Sequence, residues 1–234
     1  GGLDGVGAYD GHHDVFNNVV YNWGGRATDG GSHEVNFVNN YYKMGPATTQ
    51  KKLFRLQLEG TGSGTQSAYV NGNIRQAAGN GALTEDKLKD TYVYETSHGQ
   101  VVNWDPFVSK PFFESLAVIE SAKAAYKNVL CDVGANQPFL DNHDTRMVNE
   151  TLAGTTTTVG SQSGKKGLID SEEDKGCEGF KGLNITEAKR DANWDTDQDG
   201  MPDWWEEVKG ISDGNANENG DGYTNLEEYL NWLA

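Results

Sequence analysis

The segment Val15-Phe16-Asn17-Asn18-Val19-Val20-Tyr21 recurs as Phe37-Val38-Asn39-Asn40-Tyr41-Tyr42, an apolar pair, two asparagines and a run of β-formers, at a register of 39 − 17 = 22 residues. A period in the low twenties with one strand-Asn-strand unit per repeat is the pattern of a solenoid of stacked β coils. Asn suits a coil corner for two reasons. Its amide can bond both the local backbone and the amide stacked above it, and it tolerates left-handed backbone angles. Tyr69-Val70-Asn71-Gly72-Asn73-Ile74 reads as a third copy after a longer loop, and Gly24-Gly25, Asp29 and Gly30-Gly31 supply turns between the first two. Two unrelated strands with Asn-rich turns remain the alternative.

Composition agrees with turn-rich β structure. The 30 glycines in 234 residues are nearly twice the ordinary ~7% usage, and hydrophobic residues reach only 35%, too few for a fold dominated by helices rich in Ala and Leu. The longest apolar runs are strand-sized, so the chain is not membrane-spanning. A formal charge of −16 excludes a nucleic-acid binder held by bulk electrostatics.

That charge is regional. Residues 1–130 hold 11 basic and 13 acidic side chains, a balance of −2, while residues 191–234 hold 12 carboxylates and one lysine, Lys209. Such a density repels itself unless cations neutralise it. The sequence therefore divides into residues 1–190 and 191–234, with the boundary near 187–194. Before it, Phe113–Leu130 reads as an amphipathic helix, a second helix is expected around Asp144–Leu152, and the Thr-, Ser- and Gly-rich stretch Gly154–Lys166 as an exposed loop. Cys131 and Cys177 either close one disulfide or stay reduced.

Two stretches of the acidic end match a calcium loop. In Asp195–Glu206, oxygen donors stand at places 1, 3, 5, 9 and 12 (Asp195, Asp197, Asp199, Asp203, Glu206), with Gly200 at 6 and the Met201 carbonyl at 7. Calcium needs six or seven hard oxygens, and the glycine lets the chain wrap the ion. Asn217–Glu228 repeats the pattern through Asn217, Asn219, Asp221, the Tyr223 carbonyl, Asn225 and Glu228, with fewer charges and hence weaker expected binding. Aromatic residues at 204, 205, 223, 229 and 232 would give the pair a small core. An acidic solvated tail is the bland alternative.

Asn17-Asn18-Val19-Val20-Tyr21-Asn22-Trp23-Gly24-Gly25, followed by Val38-Asn39-Asn40-Tyr41-Tyr42-Lys43-Met44-Gly45-Pro46-Ala47-Thr48, resembles the later coils of the pectate lyase superfamily, polysaccharide lyase family 1, in the form common in Bacteroidetes. Ala125–Leu130, Asp141–Arg146, Gly167–Ser171 and the acidic end extend the resemblance over most of the chain. It implies a right-handed parallel β-helix, all-β with flanking helices and a small helical calcium-loop module. It also implies an exported enzyme, secreted, periplasmic or on the cell surface, that cleaves polygalacturonate by calcium-assisted β-elimination. The proton lost at C5 is weakly acidic, so a cation must take up charge developing on the neighbouring carboxylate and a base must reach the proton.

The family's base is an Arg in an Arg-x-Pro-x-x-Arg stretch, which occurs nowhere in these residues. The chain is therefore expected to be the C-terminal portion of a lyase, partnered by an N-terminal fragment or chain that carries the base and the groove aspartates. The alternative is a non-catalytic polysaccharide-binding or surface-display β-helix. Arg26, Lys43 and His33 either line the groove and hold substrate carboxylates or are ordinary surface residues. His12-His13, beside Asp10 and Asp14, reads as an exposed coil edge or as a metal pair.

Overall fold

A computed structural model describes residues 2–85, 91–135, 140–171, 173–174 and 190–233. Cys177 and part of the expected 187–194 boundary lie outside the described residues; Cys131 is exposed.

The structure is mostly β, with three sheets that take their strands in rotation. β1 (His12–Phe16), β4 (Glu34–Val38), β7 (Ser67–Asn71) and β11 (Phe107–Val108) form the first, all parallel. β2 (Val19–Tyr21), β5 (Tyr41–Lys43) and β8 (Ile74–Gln76) form the second in parallel, closed by β9 (Leu83–Glu85) running antiparallel. β3 (Thr28–Gly30), β6 (Phe54–Glu59) and β10 (Tyr92–Ser97) form the third, again parallel. Successive turns of chain thus visit the sheets in the order 1-2-3, the third turn laying both β8 and β9 on the second, connectivity compatible with a parallel β-helix.

The 22-residue register is realised in the pairing, with Val15 opposite Phe37 and Val19 opposite Tyr41. The third copy stacks on the second at 33 residues, because the connection 44–53 between β5 and β6 adds four residues and the longer β6 with the connection 60–66 adds seven. The two properties expected of the corner asparagines fall on separate neighbours. Asn17 (φ 54°) and Asn39 (φ 53°) take the left-handed turn, and Gly72 (φ 68°) does so in the third copy, where a Cβ would lie 1.8 Å from Asn39 Oδ1. Their successors build the ladder. Asn18 Nδ2 donates to Asn40 Oδ1 at 2.8 Å, and the buried Asn40 Nδ2 donates to Asn73 Oδ1 at 2.9 Å.

Strand alternation fills the interior. Phe54, Leu56 and Leu58 of β6 point inward with Phe37, Tyr42, Val35, Ala68 and Trp23, while Arg55, Gln57 and Glu59 face out.

The expected helix from Phe113 is a correction. Helix α1 spans Ala122–Asp132, and residues 112–120 form a non-helical strap held by asparagine side chains. Asn36 accepts from Phe112 N and donates to Phe113 O; Asn17 accepts from Glu120 N and donates to Val118 O; Asn39 donates to Glu120 O at 2.7 Å. Peptide groups taken this way are lost to a helical ladder. The helix begins where Ser121 caps it, accepting from Ala124 N. Ala122 and Ala125, both buried, let α1 settle closely on the second sheet, and Tyr126 stacks on Tyr41 with centroids 4.3 Å apart. Helix α2 (Asn142–Ala153) stands where a helix was expected, capped by Asp141 and ended by left-handed Gly154, and the stretch after it is loop and turn. Two short helices, α3 (Asp203–Lys209) and α4 (Asn225–Leu233), lie in the acidic end.

Candidate functional sites

The two acidic loops share one backbone path offset by 22 residues. Places 4 and 6 have positive φ in both: Gln198 at 62° and Gly200 at 101°, Gly220 at 72° and Gly222 at 101°. Each helix starts at place 9, where the backbone N–H returns to the carbonyl just before the loop, Asp203 to Trp194 at 2.9 Å and Asn225 to Ala216 at 2.8 Å. The wall behind them is apolar: Met201, Trp205 and Tyr229 are buried, packed by Trp194, Ile211, Leu226 and Leu233.

In the first loop, the oxygens of Asp195, Asp197 and Asp199 lie within 4.8 Å of one another. Asp195 Oδ1 is buried without a hydrogen-bond partner. The Glu206 carboxyl is pushed above its usual range, first by desolvation and then by these aspartates and Asp203. Crowded carboxylates with an orphaned oxygen are the electrostatic situation a hard cation relieves, so this donor set fits calcium. Asp203 is engaged by Thr196 through its N–H and its hydroxyl. In the second loop, Asn217 and Asp221 cap turns, Tyr223 is exposed, Asn219 donates to Glu228, and buried Asn225 donates to Asp213 O. The Asn219 amide there already engages two of the acceptors an ion would use, Glu228 Oε1 and Asp221 Oδ2.

The three candidates for substrate carboxylates do not converge. Arg26 precedes β3, is exposed, and its Nε lies 3.3 Å from Asp29. His33 precedes β4 and its Nδ1 lies 2.8 Å from Thr65 O. Lys43 ends β5 in the interior beneath the helices, 1% exposed, with Nζ donating to Tyr126 Oη at 3.1 Å and Leu152 O at 3.0 Å. Burial lowers its pKa. A groove lining of all three is therefore not what the side chains form.

Sequence reasoning missed the ionic pairing on the third sheet. Arg55 binds Asp29 on β3 and Glu95 on β10, which together push its guanidinium pKa up. These contacts cross turns separated by long connections, so no local motif announces them.

No family model matches the chain. It is similar to the probable pectate lyase C of Aspergillus flavus, 31% identical, and to proteins of that name from Aspergillus fumigatus and Neosartorya fischeri, each 30% identical; all three cover 96% of this chain. The chain spans about half the length of these relatives, 49% in each case.

Proposed function

We propose that this chain is part of an exported pectate lyase of polysaccharide lyase family 1, acting on polygalacturonate by calcium-assisted β-elimination. The supporting observation is similarity to probable pectate lyases along 96% of the chain, joined to parallel sheets whose strands alternate in the order a β-helix requires. In this reading the rungs belong to a right-handed β-helix formed by residues 1–190, and residues 191–234 form a calcium module.

The reading assigns the two chemical demands to different places. No Arg-x-Pro-x-x-Arg is present, so the base and the groove aspartates are assigned to another part of a longer lyase of the relatives' size, as a preceding segment or an associated fragment. Calcium in the groove would supply charge neutralisation at the substrate carboxylate. Arg26, with its guanidinium open to solvent beside Asp29, is the proposed contact of this chain to a uronate carboxylate. The C-terminal calcium is assigned a structural role, held by Asp195, Asp197, Asp199, the Met201 carbonyl, Asp203 and Glu206, with a weaker second ion at Asn217–Glu228.

The test is the growth of ultraviolet absorbance from unsaturated oligogalacturonates when the whole natural protein meets polygalacturonate with and without calcium. Calcium-dependent product supports the reading. Binding in calorimetry with no product would replace it by a non-catalytic polysaccharide-binding protein, an outcome the missing Arg motif makes worth measuring.

A further inference from the structure

Three stretches bring cations together where the chain enters the third sheet. Gly24-Gly25-Arg26 leads toward β3, and Thr49-Gln50-Lys51-Lys52 lies against it from the next turn. Thr49 Oγ1 donates to Gly24 O at 3.3 Å and Gln50 Nε2 to Gly25 O at 3.2 Å, each across 25 residues, so Lys51 stands one turn beyond Arg26. Arg75 Nη1 holds the Lys51 carbonyl at 2.7 Å. The third stretch comes from the loop after α2. Val159 and Lys166 form an antiparallel bridge, Asn22 Nδ2 donates to Lys166 O at 2.9 Å, and Lys165 Nζ lies 3.9 Å from where a Cβ on Gly24 would stand.

Most of these charges are unanswered. Lys51, Lys165 and Lys166 are exposed and Lys52 is half-buried, and among the described residues none of the four pairs with a carboxylate. The acids of the same stretches are engaged. Asp29 is taken by Arg55 and Arg26, Asp170 accepts from the N–H groups of Gln162 and Ser163, and Asp174 from those of Ser161 and Asp170. In a chain of net charge −16, five cations gathered from three separate stretches repel one another and make a local positive field that an anion would relieve.

We propose that Lys51 and Lys165 act with Arg26 as carboxylate contacts for a linear polyuronate lying along this rim of the third sheet, so that consecutive rings are held by consecutive turns. Neighbouring turns stand about 4.8 Å apart. A polyuronate carries one carboxylate on every ring, so it meets the row repeatedly where a small anion meets it once. Lys52 and Lys166 strengthen the field around the row. The identity of the ligand rests on the lyase reading; the gathering of cations does not. Because these contacts hold the polymer by carboxylates rather than act on the bond being cleaved, they bind substrate and transition state alike and should appear in KM rather than in kcat.

The test uses the whole natural protein in two assays: steady-state cleavage of polygalacturonate, and calorimetric binding of a saturated oligogalacturonate with chelator present to stop the calcium-dependent step. Lys51→Ala and Lys165→Ala should each raise KM about two- to fivefold at unchanged kcat, and the double variant about tenfold. Added salt should weaken the parent more than the double variant. Lys127→Ala, which removes an equal charge from the exposed side of α1 beside the second sheet, should leave KM where it is. Both rim lysines are exposed, so thermal midpoints should stay with the parent's. In an active parent, an unchanged KM in the double variant, or equal weakening by Lys127→Ala, overturns the proposal. A parent that yields no product sinks the lyase reading, and the row is then judged by binding alone: weaker oligogalacturonate binding in the double variant sustains it, and equal or absent binding in parent and variant overturns it.

Discussion

Replacing Asn40 by alanine tests whether stacked amides hold the turns together. Four hydrogen bonds go with the side chain: Nδ2 to Asn73 Oδ1 at 2.9 Å and to Val15 O at 3.0 Å, and Oδ1 from Asn18 N at 3.1 Å and Asn18 Nδ2 at 2.8 Å. They do not weigh equally. Asn73 is wholly buried and its Oδ1 keeps only the Asn40 backbone N–H, while Val15 O sits on a half-buried residue, so the two donated bonds weigh about 1–1.5 kcal/mol each. Asn18 is exposed, so its two donors rehydrate on losing their partner and add roughly 0.5 kcal/mol each. The space left by the amide adds to the cost, giving about 3–4 kcal/mol for Asn40→Ala. Asn18→Ala, which removes the Nδ2 bonds to Asn40 Oδ1 and to Phe16 O but leaves the Asn18 backbone N–H in place, should cost about 1 kcal/mol. Urea unfolding followed by tryptophan emission gives both differences. Equal midpoints for the two variants would refute the claim that burial makes the ladder's middle amide decisive.

Calcium added to metal-free protein should raise stability and change the emission of the cluster around Trp205, and Glu206→Gln should weaken this response more than Glu228→Gln, because the first loop holds the unpaired carboxylates. Equal losses would show that the loops are equivalent. Burial raises the Tyr42 phenol from 10.0 to about 12. The folded state therefore keeps a proton the unfolded chain loses, so this contribution is complete below pH 10 and disappears as pH climbs toward 12, about 2–3 kcal/mol in all. Tyr42→Phe should flatten that part of the alkaline unfolding curve. Lys43→Met and Arg26→Ala should separate structure from recognition: the first should shift the thermal midpoint and leave polygalacturonate affinity alone, the second the reverse, with salt weakening the parent's affinity more than the variant's.

The repeated asparagine pairs made the turns readable because backbone angle and stacking both demand that residue, and the demand recurs at a fixed period. The third copy was harder to read since Gly72 replaces the turn asparagine and the period grows to 33 residues. The acidic loops were legible for a similar reason: their shared backbone path, with positive φ at places 4 and 6, demands particular residues at several places in a short span. Phe113–Ser121 misled because its apolar spacing resembles an amphipathic helix, yet asparagines about 80 to 100 residues earlier take its peptide groups. Lys43 misled because a lysine after a strand reads as exposed, whereas two helices that follow by some 80 to 110 residues enclose it. A local window carries no trace of either partner.

The same long-range contacts divide the surface. The strap is held on β1 and β4 of the first sheet and at the corners that follow those strands, through Asn36, Asn17 and Asn39, and α1 packs on β2 and β5 of the second. On the third sheet the outward side chains include the Arg55 pairing with Asp29 and Glu95, flanked by Arg26. Arg55 is bonded to two carboxylates from neighbouring turns, so its charge is already answered and serves to join those turns. Arg26 shares only Asp29, at 3.3 Å and near solvent, where such pairing is worth little and is readily exchanged for another anion. A polyanion arriving at this face would therefore meet Arg26 as an available cation while Arg55 keeps the strands beneath it in register. The division follows from which turns the asparagines and helices cover, and it locates the proposed substrate contact on the sheet that the strap and α1 are not seen to bind.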